Sequence, residues 1–299
     1  MQRRRLFVAA FAVSVAVLSL WPGGRERAAL VGGKLTGAVS RPWSQVFVEL
    51  APWSWRPRVR AWLGPPAEPW VVSLGEIQPP DGRVVLFEAP TAATLLLNCH
   101  LSVLPGGETP HPPHVHDEEE LLIPLEGEAD ILRGATFDSP DLDTERVGPE
   151  DVVYHAARLP HTIRAADDGA ARYLVLRWLG RGRAGAQAGP GRTLDLRPEW
   201  AALGSDTAAQ SKRVLMDEPT ASLPRLHVHI TRLGPGEGSP EHVDAHDTVL
   251  LLLEGRIETL DRVVDAPSVV FNPAHRAHSI RNAAAGTARY LVVELDTGA

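Results

Sequence analysis

From about residue 70 to the end of the chain, runs of roughly four to eight residues rich in Val and Leu alternate with breaks rich in Gly, Pro and Asp. EEELLIPLEGE around Glu120, ARYLVLRW from Ala171, HDTVLLLLEGR around Thr248 and ARYLVVEL from Ala288 are such runs. Apolar segments of this length, bounded by turn formers, read as strands, and long stretches of helical periodicity are scarce. The pattern predicts an all-β fold with frequent turns, and the 26 Gly and 26 Pro agree with it.

The pattern also repeats. HTIRAADDGAARYLVLRW from His161 aligns without a gap to HSIRNAAAGTARYLVVEL from His278. EEELLIPLEGE matches HDTVLLLLEGR, and NCHLSVLPGGE matches HVHITRLGPGE. Two copies of one β-unit follow, expected at residues 70–180 and 212–299, with a linker at 181–211. Gly180 to Gly191, rich in Gly, Ala and Arg, reads as the start of that linker. Between Gly127 and His161 the first copy carries extra residues, which fall in the acidic stretch Arg133 to Val147. Such an insertion is either a lid over a site or a surface loop.

Ahead of the repeats, MQRRRLFVAAFAVSVAVLSLWPGG places three arginines before an apolar run from Leu6 to Trp21. This is the layout of a signal peptide or membrane anchor over residues 1–24. Arg4-Arg5-Leu6-Phe7-Val8 is similar to a twin-arginine export signal, without the usual Ser or Thr in front. The expectation is an exported protein, periplasmic or anchored in the membrane and facing away from the cytoplasm. Residues 25–69 form an arm containing Trp43, Trp53, Trp55 and Trp62, suited either to a membrane–water interface or to packing over the next domain.

Charge narrows the partners. The formal net charge is -7, and the basic residues concentrate in the first 60 positions, leaving an acidic body. Phosphate backbones need clustered Lys and Arg, so nucleic acid is excluded as a partner. The single cysteine, Cys99, excludes an intrachain disulfide.

Candidate chemistry gathers in PHPPHVHDEEELLIPLEGEADI, Pro110 to Ile131. If this stretch is one strand, residues two apart share a face, and His114, His116 and Glu120 point the same way. His161, on a later strand after the turn signal Gly148-Pro149-Glu150-Asp151, is the expected fourth member. Three neutral imidazoles and one carboxylate suit a borderline divalent metal, with iron or manganese favoured and zinc, nickel or copper open. Near them, Tyr154 is placed to hydrogen-bond a substrate oxygen, and Arg158 or Arg177 to hold a carboxylate bidentately. His100 and His229 align between the copies and suit a polar inner layer.

These residues resemble the cupin superfamily. His114, His116, Glu120 and Gly127 match its first motif, and His161, with Asp151 near the start, its second. Glu108, Ala156, Arg158 and Ala165 depart from it at turn positions. The resemblance implies a bicupin: two tandem jelly-roll β-barrels. In the second copy His242, Asp244 and His278 align with His114, His116 and His161, while Thr248 replaces Glu120. An HxD…H set suits a facial triad for iron, with His246 as an extra ligand.

The reading is a metal-binding bicupin and metal-dependent enzyme, dioxygenase-like, acting on a small oxygenated molecule. Tyr154 and Arg158 would orient the substrate. The competing reading is a non-catalytic metal- or ligand-binding cupin at the cell surface. Expected partners are a small molecule and, through the leader, the membrane, with self-association into a homo-oligomer left open.

Overall fold

A computed structural model describes residues 67–79, 82–134, 142–181, 191–204 and 210–296. The expected leader, nearly all of the tryptophan arm, the tip of the acidic insertion at 135–141 and residues 182–190 and 205–209 of the linker lie outside these residues. Residues 64–299 form one compact unit.

The first repeat is built from β2 (Arg83–Ala89), β3 (Thr94–Leu104), β4 (Glu119–Glu126), β5 (Ala129–Arg133), β6 (Asp143–Val147), β7 (Asp151–His155), β8 (His161–Ala165) and β9 (Ala171–Gly180). The second runs through β11 (Ser211–Glu218), β12 (Leu226–Leu233), β13 (Gly238–Val243), β14 (Asp247–Glu254), β15 (Arg256–Thr259), β16 (Arg262–Asp265), β17 (Ser268–Asn272), β18 (Ala277–Asn282) and β19 (Ala288–Leu295). Two short strands complete them: β1 (Trp70–Ser73), and β10 (Arg192–Asp195), which runs into the helix α1 (Leu196–Ala202). The chain is all-β apart from this one helix among the described residues.

Each repeat is a jelly-roll barrel in which a six-stranded antiparallel sheet closes over a smaller one. The large sheets run β10-β7-β4-β9-β3-β2 and β1-β17-β14-β19-β12-β11, and the small ones β6-β5-β8 and β13-β18-β15-β16. The edge strands are exchanged. β1, which precedes the first repeat, pairs with β17 of the second, and β10, which precedes the second, pairs with β7 of the first.

Strand parity sorts the side chains into three cores. One face of the two large sheets packs together around Leu121, Tyr154, Leu176, Trp178, Leu251, Phe271 and Leu291. The opposite faces line the barrel interiors, around Leu122, Val153 and Tyr173 in the first barrel and Leu250, Val270 and Tyr290 in the second.

A pair of buried acids ties the barrels together across the shared core. The fully buried carboxyl group of Glu119 accepts from the Tyr154 hydroxyl, the Thr220 and Ser222 hydroxyls and the Ala221 and Ser222 amides. Its counterpart in the repeat, Asp247, accepts from the Ala93 and Ala274 amides. Each acid thus reaches from its own barrel to a turn of the other.

Two turns explain why the repeats differ in length. β15 and β16 are joined through Leu260 and Asp261, both at positive φ, as a tight two-residue hairpin turn requires. β5 and β6 are instead separated by residues 134–142, so the extra residues lengthen one hairpin. Gly127 and Gly255, which end β4 and β14 at positive φ, occupy places where a Cβ would meet a backbone carbonyl at 2.1 and 2.5 Å.

Candidate metal centres

His114, His116 and Glu120 do not share a strand, as the sequence periodicity suggested. Proline at 110, 112 and 113 withholds ladder donors, and the segment is irregular until β4 starts at Glu119. His114 forms an isolated bridge with His161, each amide donating to the other's carbonyl at 3.1 Å. The chain then bends, and the Arg158 amide holds the His116 carbonyl at 2.8 Å. This bend, rather than a shared face, delivers both imidazoles to the interior position of Glu120.

The four residues meet. Ring centroids lie 5.2 Å apart for His114 and His116, 5.1 Å for His114 and His161, and 5.0 Å for His116 and His161. Glu120 places its oxygens 3.6 Å from His116 Nε2 and 3.3 Å from His161 Nε2. Each imidazole has its Nδ1 against a backbone carbonyl: His114 against His161 at 3.2 Å, His116 against Glu118 at 2.8 Å, His161 against Leu159 at 2.7 Å. An Nδ1–H donated outward leaves the Nε2 lone pair directed inward, the arrangement that orients metal-binding histidines. His116 Nε2 is buried without a hydrogen-bond partner. An orphaned buried nitrogen, three imidazoles fixed from behind and one carboxylate fit a divalent metal.

The electrostatics agree. Burial opposes ionisation of Glu120, but His116, His161, His155 and Arg177 together outweigh it and hold its pKa well below the usual carboxylate range. Burial, followed by His111, His161 and His116, lowers His114 to about 4, so its imidazole is neutral at physiological pH.

Behind the cluster lies a cavity of about 50 Å³, lined among others by His100, His155, Tyr173 and Arg177. The Arg177 Nε and Nη2 donate to one oxygen of Glu120 at 3.2 and 3.1 Å. Arg83 lies on the same inner layer, 3.4 Å from His100. Burial and then the neighbouring charge of Arg177 lower the Arg83 pKa. Arg177 thus lines the small space beside the imidazoles, and Arg83, an exposed side chain, approaches it through His100.

Tyr154 and Arg158 are not in this group. Tyr154 occupies the opposite face of β7 from His155, packs in the shared core near Trp178 and donates to Glu119. Arg158, at φ 63, turns outward to pair with Asp117 at 2.8 Å and is 79% exposed. The interior neighbour from β7 is His155, stacked 4.0 Å from His161 and opposite Glu120 in the sheet. The alternation of VVYH could have singled it out, since His155 has the parity of the buried Val153.

In the second barrel His242, Asp244 and His278 also meet. Asp244 Oδ2 lies 3.6 Å from His242 Nε2, 3.3 Å from His278 Nε2 and 3.7 Å from His246 Nε2. The Nδ1 atoms of His242 and His278 face the carbonyls of Pro240 and Arg276 at 2.8 and 3.1 Å. This trio is more open than the first, and the Thr248 position brings it no carboxylate. Deeper in the same barrel, His227, His229 and Glu294 form another group with ligand atoms at metal-binding spacing. Burial, then Lys212, His227 and His246, lowers His229 to about 3.

Residues 100–177 match the Cupin domain family. No curated protein matches the chain. Salicylate 1,2-dioxygenase from Pseudaminobacter salicylatoxidans is similar in fold, with a TM-score of 0.56 at 13% identity over 76% of this chain and 84% of that one. The same enzyme in adducts with gentisate gives 0.55 at 11% identity over 76% and 81%. An oxalate decarboxylase gives 0.50 at 15% identity over 69% and 70%. The family match falls within the first repeat, and at these identities the likeness to solved structures speaks for the fold alone, two cupin-type barrels in one chain.

Proposed function

We propose that the first barrel is the catalytic centre of a metal-dependent, dioxygenase-like enzyme acting on a small carboxylic acid. The observation that supports it best is the combination in one interior of His114, His116, Glu120 and His161 with the guanidinium group of Arg177. The donor set suits iron or manganese. A metal held there would supply Lewis-acid polarisation of a substrate oxygen and a template for a second reactant.

The chain's own residues do the rest. Arg177, already a two-point donor to Glu120, and the neighbouring charge of Arg83 suit a carboxylate. The buried imidazole of His155 flanks His161, and the carbonyls behind the three candidate ligands fix their tautomers. The names of the fold relatives support the substrate class, since salicylate, gentisate and oxalate are all carboxylates. The basic and apolar leader supports a place outside the cytoplasm.

The test is metal analysis after anaerobic purification, followed by oxygen uptake with hydroxybenzoates, keto acids, diols and catechols. Stoichiometric metal with oxygen consumed only by carboxylate substrates is the expected outcome. Stoichiometric metal with binding but no turnover of any compound would leave the competing reading, a non-catalytic ligand-binding cupin.

A further inference from the structure

We infer that the interior of the second barrel holds a divalent cation of its own on His227, His229 and Glu294, distinct from the outer group His242, Asp244 and His278. Five register-paired positions cross each large sheet and face the barrel interior. In the first barrel the row reads Glu88, Asn98, Arg177, Glu120, His155. In the second, the same positions read Asp217, His227, Glu294, Thr248, Asn272. The first row sets the cation of Arg177 between two acids. The second puts an acid at that centre and no cation anywhere in the row. A metal ion beside Glu294 restores the missing positive charge.

The donors are in place. Glu294 Oε1 lies 3.7 Å from His229 Nδ1, too long for a hydrogen bond but right for two ligands of one ion. His227 is directly opposite Glu294 in the sheet, and its ring centroid is 5.2 Å from that of His229. His246 Nε2 approaches the other oxygen of Glu294 at 3.6 Å.

Three buried polar atoms around this point have no hydrogen-bond partner: His229 Nδ1, Thr248 Oγ1 and Asn272 Oδ1. Their residues are 6%, 7% and 5% exposed. Orphaned polar atoms at that depth are costly unless something binds them, and all three can offer a lone pair. The competing cations are Lys212, whose Nζ is 4.0 Å from Glu294 Oε1, and Arg225, which reaches His227 Nδ1 at 3.1 Å while paired with Asp217.

The test uses the full chain carrying His116→Ala and His278→Ala, stripped of metal and titrated with Co²⁺ by calorimetry and elemental analysis. One equivalent should remain bound, and adding Glu294→Gln or His229→Gln should each weaken it by more than about 100-fold. Lys212→Met, which removes the nearest competing charge, should tighten it by about tenfold. Should the double variant bind no Co²⁺, or Glu294→Gln leave both stoichiometry and affinity in place, Glu294 is merely the ion-pair partner of Lys212 and the site does not exist. If Glu294→Gln does not fold by circular dichroism, His229→Gln alone decides, with loss supporting the site and retention overturning it. Because Glu294 and His229 both lie in the second barrel, the effect of changing them does not depend on the chemistry of the first.

Discussion

The two barrels share the strand order and pairing of their large sheets, yet their interiors are wired with opposite polarity. On the first, a carboxylate on β4 faces an arginine on β9; on the second, a threonine on β14 faces a carboxylate on β19. The backbone that positions a side chain is therefore indifferent to its charge, and moving one acid across a strand pair redirects what the cavity can bind. Beside its imidazoles, the first interior offers the cation of Arg177, suited to an anionic ligand. The second offers imidazoles and an acid, suited to a cation.

The largest expected effect probes what the barrels have in common. Glu119→Ala leaves five donors unanswered in the shared core and should lower stability by about 4 kcal/mol, whereas Asp247→Ala, with two donors, should cost about 2 kcal/mol. Chemical denaturation of the two variants measures the asymmetry, and equal losses would show that the acids are interchangeable.

Next comes the metal. His116→Ala should weaken binding in the first barrel by more than about 100-fold, since it removes a ligand rather than a supporting group. Elemental analysis of that variant beside His242→Ala, taken from the more open group, ranks the two centres.

Arg177→Met sharpens the contrast in anion preference: affinity for a small carboxylate should fall about 10-fold to 100-fold, corresponding to one lost charge-assisted hydrogen-bonded pair. Metal content should stay near the wild-type value. Calorimetric titration with salicylate or oxalate measures the first quantity.

A smaller effect concerns pH. Burial, then Arg83 and Arg177, lowers His100 to about 3, so the folded chain keeps it neutral while the unfolded chain binds a proton at about 6.5. Its contribution to stability is therefore complete above about pH 6.5 and drains away below it by about 1.4 kcal/mol per pH unit until pH 3 is approached. Unfolding curves of wild type and His100→Gln at pH 7 and pH 5 should converge toward the lower value. Smallest of all, Tyr154→Phe should cost about 1 kcal/mol and leave metal binding unchanged, because its hydroxyl serves Glu119 and faces away from the imidazoles.

Much of this was legible in the sequence. Apolar runs, turn formers and the internal repeat point to two copies of one β-unit, the family resemblance implies that they are barrels, and the residue types at 114, 116, 120 and 161 point to one cluster. Their means of meeting was not legible, because a proline-rich bend obeys no strand parity. Tyr154 and Arg158 read as site residues from proximity to His161 along the chain. The alternation of β7 sends the tyrosine to the other face, and the left-handed turn sends the arginine to solvent. Arg83 and Glu294 required the sheet register, since each gains its meaning from a partner many residues away. The edge-strand exchange left no signal at all, because Trp70–Ser73 and Arg192–Asp195 read as ordinary short strands wherever they pair.

That exchange governs how the molecule is assembled. Trp70–Ser73 leaves the ribosome before either barrel exists, yet its seat beside Ser268–Asn272 is completed only once most of the second barrel has been made. Until then an unpaired hydrophobic edge waits in the open, a hazard for clumping that nascent chains manage with helpers. Halves produced from separate messages would each lack a border strand, which favours keeping both pockets in one chain.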